Sequence, residues 1–155
     1  MGNFILGSFS ARLDKSGRLK IPEKFRAAIE EEFGKDLFVT SLSDDAVHIY
    51  PLPVWIKLTG ITQEGANQFN QSVQSFQVRV SHMGSVNQID PKGRVLISPQ
   101  LRQKVRLEAE VEVLGINNHL QVWNKEHLVK TIEANPLTAE DWQTIARLSP
   151  RGRNE

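Results

Sequence analysis

Cysteine is absent from the 155 residues, and with it any disulfide framework or thiolate metal site. A reducing cytosol suits such a chain. Nowhere do about 20 apolar residues run together, so no stretch has the length of a membrane-spanning helix. The start, Met-Gly-Asn-Phe-Ile-Leu-Gly-Ser-Phe-Ser, lacks the basic n-region and long apolar run of a secretory signal. The four histidines (His48, His82, His119 and His127) show no metal-ligand spacing, and G-x-S-x-G, H-E-x-x-H and G-x-G-x-x-G do not occur. Lys15-Ser16-Gly17-Arg18 looks faintly like a phosphate loop, but the Gly-x-x-x-x-Gly-Lys-Ser/Thr frame that builds an anion nest is missing. Asp44-Asp45 reads as a turn. These absences disfavour an enzyme; no cofactor, metal or small-molecule substrate is expected.

Net charge is also nearly absent, at +1. Its distribution is uneven. Residues 12–26 carry Arg12, Lys15, Arg18, Lys20, Lys24 and Arg26 against Asp14 and Glu23, a local +4. Residues 89–106 carry Lys92, Arg94, Arg102, Lys104 and Arg106 against Asp90, again +4, which leaves −7 for the remainder. The two basic stretches are copies of one motif. Asp14, Gly17, Arg18, Ile21 and Arg26 match Asp90, Gly93, Arg94, Ile97 and Arg102 at a constant offset of 76 residues. Leu13/Ile89, Leu19/Val95 and Phe25/Leu101 match in apolar character. Internal duplication therefore organises the chain, and positive charge concentrated on the duplicated motif is what a polyanion-binding site requires.

Each motif reads as a β-hairpin with a basic tip. A strand over residues 4–13 runs into Asp14-Lys15-Ser16-Gly17, which has Asp at the first and Gly at the fourth position of a type I turn. Asp90-Pro91-Lys92-Gly93 repeats this with a favourable Pro. Leu19 and Ile21 then alternate with polar neighbours as a half-buried strand. A helix follows each motif. In the first, Pro22 takes the first helical position, Phe25, Ala28, Ile29 and Phe33 share a face, and Gly34 ends it. In the second, Ser98 is the N-cap, Pro99 the first helical residue, and Leu101 and Val105 are buried. Strand pairs 37–41 with 46–50 and 111–115 with 120–123 come next, turning at Ser43-Asp44-Asp45 and Asn117-Asn118. Short helices over 53–58 and 125–132 close the copies. Between them Ala66, Phe69, Val73, Phe76 and Val80 form one apolar helical stripe, and 138–148 suit a further short helix. Phe25, Leu101, Tyr50, Trp55 and Trp123 are expected in the core. One copy of about 45 residues is too small to hold a core alone, so two copies should interleave as a pseudo-twofold pair.

A binding module fits these residues better than a catalyst. Lys15 at the turn and Arg18 just past it stand where they can meet phosphates or guanine edges. Arginine holds guanine O6 and N7 in a bidentate contact, and a two-stranded ribbon fits the major groove. Lys20 and Lys24, with Arg12, would supply positioning phosphate contacts, and Lys92 and Arg94 are their counterparts in the second copy. Asp14, Gly17, Asp90 and Gly93 are expected to shape the turns, the aspartates capping backbone N–H groups and pairing with Arg18 and Arg94. The first copy, with more basic residues about its turn, is expected to dominate.

Two Asp-x-x-Gly-Arg-φ-x-Ile motifs (φ apolar), each followed by Pro and a Phe/Leu-Arg pair, resemble the SpoVT-AbrB superfamily. The tandem copies and the Tyr50-Pro51-Leu52 and Val122-Trp123 endings resemble the MraZ family in particular, from about residue 4 to 130. The resemblance implies a mainly β fold with short helices (α+β), a swapped-hairpin β-barrel built from two repeats, and a central amphipathic helix and C-terminal helical tail. By that reading residues 8–54 are the first repeat, 55–83 the linker and amphipathic helix, 84–127 the second repeat, and 128–155 the tail. It further implies a ring-shaped homo-oligomer in the cytoplasm, associated with the nucleoid, that regulates transcription. The implied target is double-stranded DNA carrying direct repeats upstream of its own gene in the division and cell-wall cluster. The family's Asp-x-x-x-Arg motifs fall on Asp14/Arg18 and Asp90/Arg94. The alternative is an AbrB-type antitoxin or another AbrB-like transition-state regulator, although such antitoxins usually carry one motif. One departure is Ile97-Ser98-Pro99 where Ile-Pro is commoner, a one-residue delay expected to alter the helix start.

Overall fold

A computed structural model describes residues 5–60 and 69–150 of the chain. Its backbone falls into two compact units, Met1–Lys125 and Glu126–Glu155. In the first unit the order is β1 (Ile5–Arg12), β2 (Arg18–Lys20), α1 (Glu23–Phe33), β3 (Asp36–Thr40), β4 (Ala46–Pro51), α2 (Leu52–Leu58), α3 (Gln71–Met83), β5 (Ser85–Gln88), β6 (Arg94–Leu96), α4 (Pro99–Lys104), β7 (Glu110–Asn117) and β8 (Leu120–Asn124). Every strand pairing is antiparallel. Six strands form one sheet in the order β1-β7-β8-β4-β3-β5, and β2 and β6 form a separate two-stranded ribbon. With the copies exchanged, that order reads the same from either end, so the duplication appears in space as a pseudo-twofold. The sheet does not close: β1 and β5 are its two edges.

The expected local hairpins are corrected. Within the first copy, the residue after β1 meets β2 through one isolated bridge, Leu13 to Leu19, while β1 itself pairs along its length with β7 of the other copy. In the same way β5 pairs with β3, and β2 with β6 in the register Arg18 to Leu96, Leu19 to Val95 and Lys20 to Arg94. A local hairpin would satisfy backbone groups alone. Exchange also brings the apolar faces of the two copies together, and Leu19, Ile21, Val95 and Ile97 are each at most 1% exposed. At roughly 1.5–3 kcal/mol for each fully buried aliphatic side chain, that layer favours exchange strongly.

Inward-facing residues of alternate strand positions complete the core: Leu37 and Val39, Val47 and Ile49, Val111 and Val113, Leu120 and Val122. Phe25, Ala28 and Ile29 of α1 and Leu101 of α4 cover it. Gly34, at φ +89°, ends α1 as expected. Pro22 is the N-cap of α1 rather than its first residue, and Ser98 is the N-cap of α4. The two helices therefore begin at matched positions, and the expected delay in the second copy does not occur. Either Pro22 or Ser98 adopts the extended backbone a cap requires, and the Ser98 hydroxyl adds a bond from the Leu101 amide at 3.3 Å.

Among the described residues, the central stripe is only partly helical. Val73, Phe76 and Val80 lie on α3, where Val80 packs with Tyr50 and Trp55 in a smaller aromatic cluster. Asn70 starts the helix by accepting from the Ser72 and Val73 amides at 2.9 and 3.2 Å, so Phe69 precedes it and is 86% exposed. Ala66 lies outside the described residues. Trp123 is half-buried rather than core, because its indole N–H faces a polar partner, Gln121 Oε1, at 3.0 Å. The second unit holds all but the first residue of α5 (Lys125–Ala134) and the whole of α6 (Ala139–Leu148), the latter started by a capping box between Thr138 and Asp141. No helix among the described residues is long and apolar enough to cross a membrane.

His48 and His119 are buried and stacked, with ring centroids 5.8 Å apart. Burial lowers the pKa of both, and for His119 the neighbouring His48 lowers it further, to about 4. A histidine titrating lower in the folded than the unfolded chain stabilises fully above the unfolded value of about 6.5. That contribution falls away as pH drops from there toward 4. The melting temperature of the protein is expected to fall over this window by more than that of His119→Phe. In the core, Leu19→Ala should cost about 2–5 kcal/mol in urea unfolding.

Candidate nucleic-acid interface

The two turns are built alike. In the first, the Asp14 carbonyl accepts from the Gly17 amide at 3.0 Å and the Asp14 amide donates to the Arg18 carbonyl at 2.9 Å. Asp14 Oδ1 accepts from the Ser16 and Arg18 amides at 3.0 and 2.9 Å and from the Ser16 hydroxyl at 2.7 Å. In the second, Asp90 Oδ1 accepts from the Lys92 and Arg94 amides, both at 2.9 Å. Gly17 and Gly93 sit at φ +88° and +79°, a conformation that costs other residues strain. Asp14 and Asp90 thus carry the turns' hydrogen bonds, and Gly17 and Gly93 their positive φ.

Each turn is also held by the other copy. The Ile21 amide donates to the Gly93 carbonyl at 3.0 Å, and the Ile97 amide to the Gly17 carbonyl at 2.9 Å. A Cβ on Gly17 would lie 2.8 Å from the Arg102 guanidinium, and one on Gly93 2.7 Å from Arg26 Cδ. Arg102 is fixed by donating Nε–H to the Ile97 carbonyl at 3.0 Å, and Arg26 by ion pairs with Glu23 and Glu30. These supports were not anticipated as such. Their signal was in plain view, since Arg26 and Arg102 are a matched pair of the repeat.

The turns differ in one respect. The Arg94 guanidinium donates Nε–H to Asp90 Oδ2 at 2.9 Å and also reaches across to Asp14 Oδ2 at 3.2 Å. The guanidinium of Arg18, its counterpart, makes no ion pair among the described residues and donates to the Ser16 hydroxyl at 2.7 Å. The expected Asp14–Arg18 pair is replaced by Asp14–Arg94, and the Ser16 hydroxyl, which has no counterpart in the second turn, stands between Asp14 Oδ1 and the Arg18 guanidinium. Hydrogen bonds from the Arg18 amide and Ser16 lower the pKa of Asp14, with a smaller electrostatic contribution from Arg94. For Asp90, burial opposes ionisation, but the Arg94 amide and guanidinium and the Lys92 amide outweigh it and lower the pKa. Both aspartates are thus held as anions, and one arginine neutralises part of their charge.

On the ribbon, Leu19 and Val95 point inward while Arg18, Lys20, Arg94 and Leu96 lie on the outer face. Lys20 is tethered through Nζ to the Lys92 carbonyl. Lys15 and Lys92 are exposed at the turns without ion pairs among the described residues. The fold thus gathers Arg18, Lys20 and Arg94 with the turn residues Lys15 and Lys92. Arg12, at the end of β1 opposite Glu110, and Lys24, on α1, lie outside the ribbon. No group of His, Asp or Glu suited to a metal ion occurs among the described residues.

A family model described as MraZ protein, with an antitoxin likeness added, matches residues 4–77 and 85–148. The chain belongs to the MraZ family. Among its relatives, the Transcriptional regulator MraZ of Acidobacterium capsulatum is 36% identical over 140 residues, covering 90% of this chain and 95% of that one. The protein of the same name from Koribacter versatilis is 34% identical over 143 residues, covering 92% and 97%. That of Pediococcus pentosaceus is 32% identical over 144 residues, covering 91% and 93%. In this MraZ chain, Arg94→Ala should lower the urea midpoint by leaving Asp14 and Asp90 without their shared partner. Arg18→Ala should change stability by less than about 0.5 kcal/mol. Equal losses in the two variants would contradict the assignment of Arg94 as the clamp.

Proposed function

We propose that this MraZ chain is a transcriptional regulator that binds double-stranded DNA specifically through the β2/β6 ribbon. The observation that carries the reading is the outer face of that ribbon, where Arg18, Lys20 and Arg94 stand together between turns bearing Lys15 and Lys92. A two-stranded ribbon fits the major groove. Arg18, with no carboxylate partner among the described residues, is the residue that contacts guanine, and Lys15, Lys20 and Lys92 face phosphates. Arg94 holds the turns in register rather than reading bases. Arg12 and Lys24 add outlying positive charge. The names of its relatives support regulation of transcription, and with it no catalytic role.

The finer expectations take their support from the family. They comprise a swapped-hairpin barrel arising from the strand exchange, a ring of copies, and direct repeats upstream of the chain's own gene in the division and cell-wall cluster. Residues 8–54 and 84–127 act as the paired repeats, with 55–83 joining them and 128–155 as the tail, in a cytoplasmic, nucleoid-associated protein. A ring would align several modest contacts on repeated sites, and multivalency makes modest contacts adequate. The antitoxin likeness in the family description favours one second reading, an AbrB-type antitoxin, for which co-purification of a small toxin is the sign.

Binding to the DNA immediately upstream of the coding sequence tests the proposal in a gel shift. Affinity should fall steeply as salt rises from about 50 mM to 200 mM, as phosphate contacts require. Arg18→Ala should abolish specific binding while the circular dichroism spectrum stays unchanged. Full-strength binding by that variant would refute the role given to Arg18.

A further inference from the structure

The ribbon is symmetric in backbone and unequal in side chains. Around the buried pair Leu19 and Val95, the pseudo-twofold sets Arg18 opposite Leu96 at one end and Lys20 opposite Arg94 at the other. At the second end both cations are engaged, Lys20 with the Lys92 carbonyl and Arg94 with the two aspartates. At the first end Arg18 has no carboxylate partner among the described residues, and beside it stands an aliphatic side chain. Leu96 is 39% exposed, while Val95 and Ile97 on either side are buried. Its backbone is fixed by the Asn87 amide group, which donates to the Leu96 carbonyl at 3.2 Å. At the matched position the first copy has Lys20. Leu96 is thus an aliphatic side chain left partly open to solvent beside the half-buried cation Arg18.

We infer that Leu96 is a specificity-determining residue that contacts the C5-methyl group of a thymine next to the base read by Arg18. The inference rests on the DNA-binding reading above. Directly opposed residues on one face of an antiparallel pair stand about 4.5–5.5 Å apart at Cβ. Stacked base pairs repeat every 3.4 Å or so, so the two side chains reach adjacent pairs. Thymine alone offers a methyl group in the major groove, and aliphatic side chains recognise it by burying it. Arg18 with Leu96 thus forms a reading end that selects a guanine beside a thymine, and Lys20 with Arg94 forms a holding end. The second copy contributes to recognition through Leu96 rather than through its own arginine.

The test separates the methyl group from everything else in the site. The duplex immediately upstream of the coding sequence is amplified with dTTP or with dUTP, which removes only thymine methyls. The full-length protein, Leu96→Ala and Leu96→Lys are titrated against both duplexes by fluorescence anisotropy. Lysine at 96 repeats what the first copy holds at position 20, so that variant keeps the fold. The unaltered protein should bind the uracil duplex roughly three- to tenfold more weakly, and both variants should bind the two duplexes equally. Equal binding of both duplexes by the unaltered protein would overturn the role of Leu96, as would a thymine preference that survives in either variant. Failure of the unaltered protein to bind either duplex at about 50 mM salt would overturn the DNA reading itself, and the inference with it.

Discussion

The crossed exchange between the two motifs is the constraint on which the rest depends. The Ile21 amide bonds to the Gly93 carbonyl and the Ile97 amide to the Gly17 carbonyl, at 3.0 and 2.9 Å, so neither turn is complete without the other copy. Magnitudes divide the labour. Leu19, Ile21, Val95 and Ile97 are fully buried beneath the ribbon, and each contributes roughly 1.5–3 kcal/mol. The Arg94 bridge between Asp14 and Asp90 is partly solvent-exposed, and ion pairs of that kind contribute about 0–1 kcal/mol. The apolar layer holds the body together; the ion pairs decide how the turns point. Both turn glycines are constrained twice, by positive φ and by the arginine lying against them from the other copy.

That scaffold explains how a symmetric body presents an unsymmetric surface. The backbone equates Arg18 with Arg94 and Lys20 with Leu96, and only side-chain differences separate them. Ser16 is one such difference. Its hydroxyl bonds both Asp14 Oδ1 and the Arg18 guanidinium, while the second turn has Lys92 in the corresponding place and leaves Asp90 open to its own arginine. Arg94 can therefore take both carboxylates, and Arg18 is released. The proposed DNA recognition follows from this release: one guanidinium is held by the protein and one is left for a base. Under that proposal the basic turns around them would give the sequence-independent attraction that positions such a contact.

Much of this was legible in the sequence, for identifiable reasons. A motif repeated at a constant spacing announces duplication however its strands pair, and Asp-x-x-Gly announces a turn because few residues other than glycine accept positive φ. The helix over Glu23–Phe33 was legible because Phe25, Ala28 and Ile29 share one face and Gly34 stops it. Pairing was not legible. Leu19 and Ile21 alternate with polar residues whether the partner strand is in the same copy or the other, so periodicity cannot distinguish a hairpin from an exchange. The choice between Arg18 and Arg94 was hidden for a similar reason, since both follow an aspartate by four residues and only the Ser16 contacts separate them. Leu96 escaped notice because an aliphatic residue in a strand is ordinarily read as core, and its exposure depends on the pleat of a ribbon formed between the copies.

The side-chain Nε–Hε resonances of Arg18 and Arg94 test the central claim most directly, recorded by NMR on arginine-labelled protein with and without the upstream duplex. The account predicts that the Arg18 resonance shifts and becomes protected on binding. The Arg94 resonance should keep, in both states, the position set by its bond to Asp90. A bound complex in which Arg94 leaves Asp90 and shifts while Arg18 stays unchanged would contradict it.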